Sequence, residues 1–287
     1  MCSDLLVSTF FFRKLRGGSQ PILVQASNQS FYVVKLPRNP QGPNLLFNES
    51  AGSELYHALR LPVPDWTPLL VTDDFLDRNP GCWFASREGA IRPQAGLVFA
   101  SPFLGTGRHP AMDILPHTSH VCIEDRFNFW VAWILDVCAN HADNRQVLFA
   151  ETDHGTLSST FIDFGHMFGG PEGLDNPLPA ASRYLDWRIY PHIETEELLS
   201  ITNVVKNLNA DRLWQKVAHL PDEWKTLSAV RAFNQALHCL CSSSFLNDAM
   251  QMIVSDLDSK RNRGEKANYH APRIPRSVLH SRVCAVA

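Results

Sequence analysis

Two short apolar runs near the start of the chain, "PILVQA" and "SFYVVKL", are rich in β-branched and aromatic residues. They read as strands, with "SNQ" as the hairpin turn between them. Helical spacing follows in "PNLLFNESAGSELYHALRL", where Leu45, Leu55, Tyr56 and Leu59 recur on one face and "LPVP" ends the run. "TPLLVTD" and "AGLVFASPFLG" read as further strands, and the second leads into a Gly-, Pro- and His-rich loop from Gly105 to His120. The segment "CIEDRFNFWVAWILDVCAN" then predicts a helix. Its broad apolar face would carry Phe127, Trp130, Val131, Ile134, Leu135 and Cys138, with Glu124 and Asp125 in the first turn, where carboxylates suit the helix dipole. Two strands, "QVLFA" and "STFIDFG", flank the polar turn "ETDHGTLS", and helical patterns fill 194–208, 210–219, 226–241 and 245–260. No repeat or low-complexity tract interrupts this order. The expected organisation is α+β: residues 1–99 form a small β-rich N-lobe and 100–107 a linker, while 108–258 form a larger, mainly helical C-lobe and 259–287 a basic tail.

Composition narrows the class. With 287 residues, 45% apolar, 19% charged and a net charge of −3, the chain resembles an ordinary globular protein and carries no overall signal for nucleic acid or an anionic membrane. The basic, Pro-containing tail reads as a solvated end. Seven scattered cysteines, an odd number, fit a reduced intracellular chain better than a disulfide framework. The N-terminus lacks the early basic segment and apolar length of a signal peptide. The longest apolar stretch, Phe129 to Ala139, is interrupted by Asp136 and too short to span a bilayer. A cytoplasmic protein is expected, with neither membrane nor nucleic acid as a partner.

Several positions carry candidate chemistry. Gly17, Gly18 and Ser19 in "RGGSQPIL" precede the first strand, where glycines let the backbone close over phosphates. Lys35 shares a strand face with Phe31 and Val33, and a lysine there needs an anionic partner or a ligand phosphate. Glu49 lies early in the next helix, beside the small residues Gly52 and Ser53 that let that face approach a sheet. Asp143 sits in the polar loop "NHADNRQ", and Asp163 ends the apolar run "STFIDFG" 20 residues later. A carboxylate closing a buried strand is costly unless it meets a cation or hydrogen-bond donors. The hairpin between these two acids brings both to one mouth. The order of Gly-rich loop, strand Lys, helix Glu, loop Asp and strand-end Asp-Phe-Gly matches the parts of a kinase-type ATP cleft. Other constellations are weaker. Cys239 and Cys241 in "HCLC" fall on different faces of a helical pattern, and His109, His117 and His120 lack the spacing of a metal site.

The stretches "GGSQPILVQASNQSFYVVKL", "LLFNESAGSELYHALRLPVP", "NHADNRQVLF" and "FIDFGHMFGG" resemble the HipA-like kinase domain family, over residues 10–190. The resemblance implies a bilobal protein-kinase-like fold that binds ATP with Mg2+ and transfers the γ-phosphoryl group. Lys35 would contact the phosphates, Glu49 would pair with Lys35, Asp143 would be the catalytic acid/base and Asp163 the metal ligand. "GLVFASPFLG" would form the hinge behind adenine, with backbone groups near Ala100 and Ser101. The family's pattern places an asparagine five residues after the catalytic aspartate, and this chain has Leu148 there. The resemblance implies Gln146 as second metal ligand, because "DxRQ" before an apolar strand is the pattern of the stand-alone relatives. The expected function is an ATP- and Mg2+-dependent phosphotransferase whose acceptor is unidentified, a protein Ser/Thr being one candidate. The alternative is a nucleotide-binding pseudokinase or scaffold without turnover.

Overall fold

The computed structural model describes residues 5–104, 111–115, 123–173, 182–186, 189–190 and 195–262, with backbone alone for 195–199 and 257–262. The expected loop 105–120 with His109, His117 and His120 falls outside these residues except at 111–115, and the tail from 263 onward lies outside them as well.

The N-terminal part is a five-stranded closed barrel in the order β1-β2-β3-β7-β4. Its strands are β1 (Leu6–Lys14), β2 (Ile22–Ala26), β3 (Phe31–Lys35), β4 (Thr67–Val71) and β7 (Gly96–Pro102). Most neighbours run antiparallel, and the parallel pairing of Leu6 with Leu69 and Val7 with Leu70 closes the ring. Closure removes exposed sheet edges. Inward side chains, among them Ile22, Val24, Val34, Leu69, Val98 and Ala100, fill the interior. A short helix α2 (Asp73–Arg78), capped by Thr72 accepting from the Phe75 N–H at 3.1 Å, packs Phe75 and Leu76 on the same core. A small hairpin of β5 (Phe84–Ser86) and β6 (Gly89–Ile91) follows it.

Helix α1 (Leu45–Ala58) sits between β3 and β4 in sequence but packs into the other core of the molecule. Leu46, Phe47, Ala51, Leu55 and Tyr56 join residues of α3 (Phe127–Cys138), α5 (Ala210–Ala218), α6 (Leu227–Cys241) and α7 (Ser243–Asn262). Each large apolar side chain buried in this way contributes roughly 1.5–3 kcal/mol. Eleven residues of α1 are buried, Asn48 and Glu49 among them, so this helix hides polar groups as well as its apolar face. The C-terminal part adds the hairpin β8 (Gln146–Glu151) and β9 (Leu157–Ile162), then α4 (Thr195–Lys206).

Three details differ from the sequence expectation. Strand β1 was not foreseen. Helix α3 starts at Phe127, not at Glu124, because Asp125 adopts φ +52°, a left-handed turn that a helix cannot include. Glu124 is instead held in that turn, its N–H donating to the Leu157 carbonyl at 2.8 Å and its carboxylate accepting from Thr156. Finally, α3 is buried nearly all round from Phe129 to Leu135, while Phe127, expected on its apolar face, is exposed.

Candidate active site

Alternation along β3 sends Tyr32 and Val34 into the barrel core and puts Val33 and Lys35 on the wall of a cavity of about 280 Å³. Lys35 is only 6% exposed, a setting in which an unpaired ammonium is expensive. It is paired twice, in a short contact with Oε1 of Glu49 and at 2.7 Å with Oδ1 of Asp163. Burial by itself would lower the ammonium pKa, but the Asp163 and Glu49 carboxylates outweigh burial and hold it above the ordinary lysine value. Burial would raise Asp163, yet Lys35 keeps it well below the usual carboxylate range. At Glu49 burial wins over Lys35, and the carboxyl is pushed up to about 7. One ammonium thus serves two unlike acids.

Asp163 follows the last residue of β9 and takes φ +62°, a conformation that costs an L-residue roughly 1–2 kcal/mol. The turn after it is clamped from α1. The Phe164 N–H donates to Oε2 of Glu49 at 3.2 Å, and the Asn48 amide donates to the carbonyls of Gly165, Met167 and Gly170 at 3.0, 2.8 and 3.1 Å. Helix and turn approach so closely that a Cβ at Gly52 would lie 2.6 Å from Cβ of Phe164 and 2.7 Å from Sδ of Met167. The small face of α1 therefore meets the 164–167 turn, where the sequence pattern points to a sheet.

The loop "NHADNRQ" lies against that same turn. The Ala142 N–H donates to the His166 carbonyl at 2.8 Å, Phe168 N–H to Ala139 at 2.7 Å and Gly169 N–H to Asn140 at 3.0 Å. Asp143 and Asp163 consequently stand on neighbouring, hydrogen-bonded loops. Asp143 is exposed, its Oδ1 accepts from the Asn144 N–H at 2.7 Å, and it does not line the cavity. Gln146 opens β8 opposite Ile162 and lines the cavity, as does Leu148.

Arg145, unmarked by the sequence reading, joins these parts. It is buried, forms a salt bridge with Asp136 of α3 at 2.7 Å, and donates through Nη1 to the carbonyls of Ile162 and Asp163 at 3.0 and 3.1 Å. Its guanidinium also lies 5.0 Å from the ring centre of Tyr56 and 4.8 Å from that of Phe164. Tyr56 donates to Asp136 at 2.8 Å, and Ser182 bridges Asp136 and His141. The available signal was Asp136 itself, a carboxylate inside an apolar helix that could be buried only with a partner.

The remaining expected site residues divide. Gly17 lines the cavity with φ +131°, beside Leu15, Arg16 and Pro21. Gly18 and Ser19 do not line it: Gly18 backs onto the Gln41 side chain, and Ser19 is buried with its carbonyl accepting from Asn39 at 2.6 Å. Ala100 lies inside the sheet, paired with Val34 on one side and Thr67 on the other, and its side chain belongs to the barrel core. Phe99, Ser101 and Pro102 of β7 and Phe103 and Leu104 just after it border the cavity, and pairing with β4 stops at Ala100. Trp66 and Phe99 stack at 5.7 Å near this edge.

The donor set can be tested against magnesium. The Asp163 side chain is 26% exposed, and it faces the same cavity as the Gln146 amide. A carboxylate and an amide carbonyl are hard oxygen donors of the kind magnesium takes when phosphate oxygens complete its shell. Among the described residues no group of three His, Cys, Asp or Glu could hold a metal, so its other ligands would come from phosphate and water.

No protein-family model matches the chain, and no curated protein matches it in sequence. Solved structures do. A Golgi casein kinase shares 13% identity over 85% of this chain and 73% of its own, with a TM-score of 0.51. The Helicobacter pylori proinflammatory kinase CtkA shares 15% identity over 85% of this chain and 97% of its own, also with a TM-score of 0.51. At such identities the likeness concerns the fold. The chain has a kinase-like fold, and these neighbours do not single out the HipA-like family.

Proposed function

We propose that this chain is an ATP- and Mg2+-dependent phosphotransferase of the HipA-like kind, with two lobes (residues 1–99 and 108–258, joined by 100–107) closing on the nucleotide. The observation that carries this reading is Lys35, held by Glu49 from α1 and by Asp163 from the end of β9 on the wall of one cavity within a kinase-like fold. The Ser101–Leu104 backbone and Phe99 would border the base, and Gly17 would let the turn after β1 close over the phosphates. Lys35 would hold phosphate oxygens, its position fixed by Glu49. Asp163 and Gln146 would hold magnesium, which when bound neutralises phosphate charge. Asp143 would accept the proton of an acceptor hydroxyl as that oxygen bonds to the γ-phosphorus and ADP leaves. A protein Ser/Thr is the proposed acceptor class. No helix among the described residues is long and apolar enough to cross a membrane, and the proposed place of action is the cytoplasm, where ATP and magnesium are available.

A second reading has its own observation. Leu148 contributes an apolar cavity wall at the position where the expected amide would stand, which favours nucleotide binding without transfer. Incubation with γ-labelled ATP and an acceptor panel, autophosphorylation included, separates the two. Active transfer that disappears in Asp143→Asn while ATP binding persists supports the phosphotransferase. Binding with no transfer to any acceptor moves the assignment to the non-catalytic form.

A further inference from the structure

The cavity wall carries two cations, Lys35 and Arg16, and three carboxylates, Glu49, Asp113 and Asp163. Lys35 is already committed to two of those acids, so its charge is offset before any ligand arrives. A nucleotide adds several phosphate charges to a wall where the carboxylates of Glu49 and Asp163 already offset Lys35, so beside magnesium a protein cation facing the phosphates would offset further charge. Among the described lining residues that cation is Arg16.

Arg16 is exposed and forms no salt bridge or hydrogen bond among the described residues, whereas Lys35 and the buried Arg145 are both engaged. Its backbone is fixed. The Leu15 N–H donates to the Pro21 carbonyl at 2.7 Å and the Gln20 N–H to the Gly17 carbonyl at 3.1 Å, closing the turn between β1 and β2 around the left-handed Gly17. The turn therefore brings Arg16, unpaired among the described residues, to the cavity wall from a defined anchor. Guanidinium is planar and always charged, and it matches two phosphate oxygens at once.

We propose that Arg16 is a specificity-determining residue that binds the outer phosphates of the nucleotide and selects di- and triphosphates over the unphosphorylated nucleoside. This rests on the nucleotide reading above. Arg16 acts by binding and positioning, and it takes no part in proton transfer.

Calorimetric titration of wild type and Arg16→Gln with adenosine, ADP and ATP, at fixed magnesium, tests it. Adenosine should bind both proteins equally, and ATP should bind Arg16→Gln about tenfold more weakly, the scale of one solvent-exposed charged hydrogen-bond pair. Arg16→Lys should fall between them, because an ammonium keeps the charge and loses the fork. Melting temperatures should match, since Arg16 is exposed and holds no salt bridge or hydrogen bond among the described residues. Equal ATP affinities for wild type and Arg16→Gln, or an equal loss for adenosine and ATP, would overturn the assignment while leaving the nucleotide reading intact. A wild type that binds neither adenosine nor ATP would overturn both.

Discussion

Arg145 donates to the main-chain carbonyl of Asp163 at 3.1 Å while Asp136 holds the other side of its guanidinium. The backbone that aims the proposed metal ligand is therefore positioned by a residue of the loop that carries the proposed base. Asp143, Arg145 and Gln146 lie within four positions of one another, so one short loop carries the proposed base, the clamp on the Asp163 backbone and the proposed second metal ligand.

Removing one side of the buried pair leaves the other uncompensated. Arg145→Met should lower unfolding free energy by about 3–5 kcal/mol, read by urea denaturation. The double variant Asp136→Leu/Arg145→Met should recover much of that loss. It should still transfer phosphate poorly, because the carbonyls of Ile162 and Asp163 have lost their donor. Recovery of both stability and transfer would reduce the pair to a packing role.

Lys35→Met should be destabilised mainly at neutral pH. Lys35 holds Asp163 below its unfolded-state pKa, so the pair contributes stability above that unfolded value and loses it as pH falls through and below it. The stability gap between wild type and Lys35→Met should therefore be large at pH 7 and narrow toward pH 3. Urea unfolding at the two pH values reads the gap. A constant gap would mean that the pair is not electrostatically coupled.

His141 predicts a second pH dependence. Burial and the nearby Arg145 push the imidazole down to about 4, and its Nε2 is buried without a partner among the described residues. An unfolded histidine titrates near 6.5, so above that pH both states are neutral and the residue contributes nothing. As pH falls below about 6.5 the unfolded chain gains a proton that the folded chain refuses, and stability drops by up to about 3 kcal/mol before levelling near pH 4. His141→Asn should flatten that part of the stability profile relative to wild type.

Gly52→Ala sets helix propensity against space. An interior alanine gains roughly 1 kcal/mol over glycine. Here its methyl would meet Phe164 and Met167 below 3 Å, and overpacking of that kind costs roughly 1–3 kcal/mol. Net destabilisation with weakened ATP binding is expected, measured by melting temperature and calorimetry. A stabilised variant with unchanged binding would show that α1 does not clamp the 164–167 turn.

The cleft could be read from sequence where pattern and chemistry coincide. Lys35 stands at the end of an apolar strand, and Asp163 directly follows another, so the apolar setting of each implies a charged partner. Helix α1 was recognisable from the spacing of Leu45, Leu55 and Tyr56, although its low amphipathicity hid how deeply it is buried. Strand β1 was not recognisable, because its Phe10, Phe11 and Phe12 put apolar residues on both faces and two register shifts break its pairing with β2. Arg145 looked like one polar residue among several in a polar loop. Only the folded chain brings it beside Asp136, nine positions earlier on a helix. That Ser101 lines the cavity and Ala100 does not depends on where β4 stops pairing, a tertiary register that no local pattern encodes.

The most direct test of the central claim is calorimetric titration of ATP into wild type and Asp163→Asn, each with magnesium and with chelator. ATP binding to wild type should strengthen with magnesium, and in Asp163→Asn that enhancement should be lost while a weaker, metal-independent affinity remains. Wild type that does not bind ATP, or an enhancement that survives intact in Asp163→Asn, would contradict the claim.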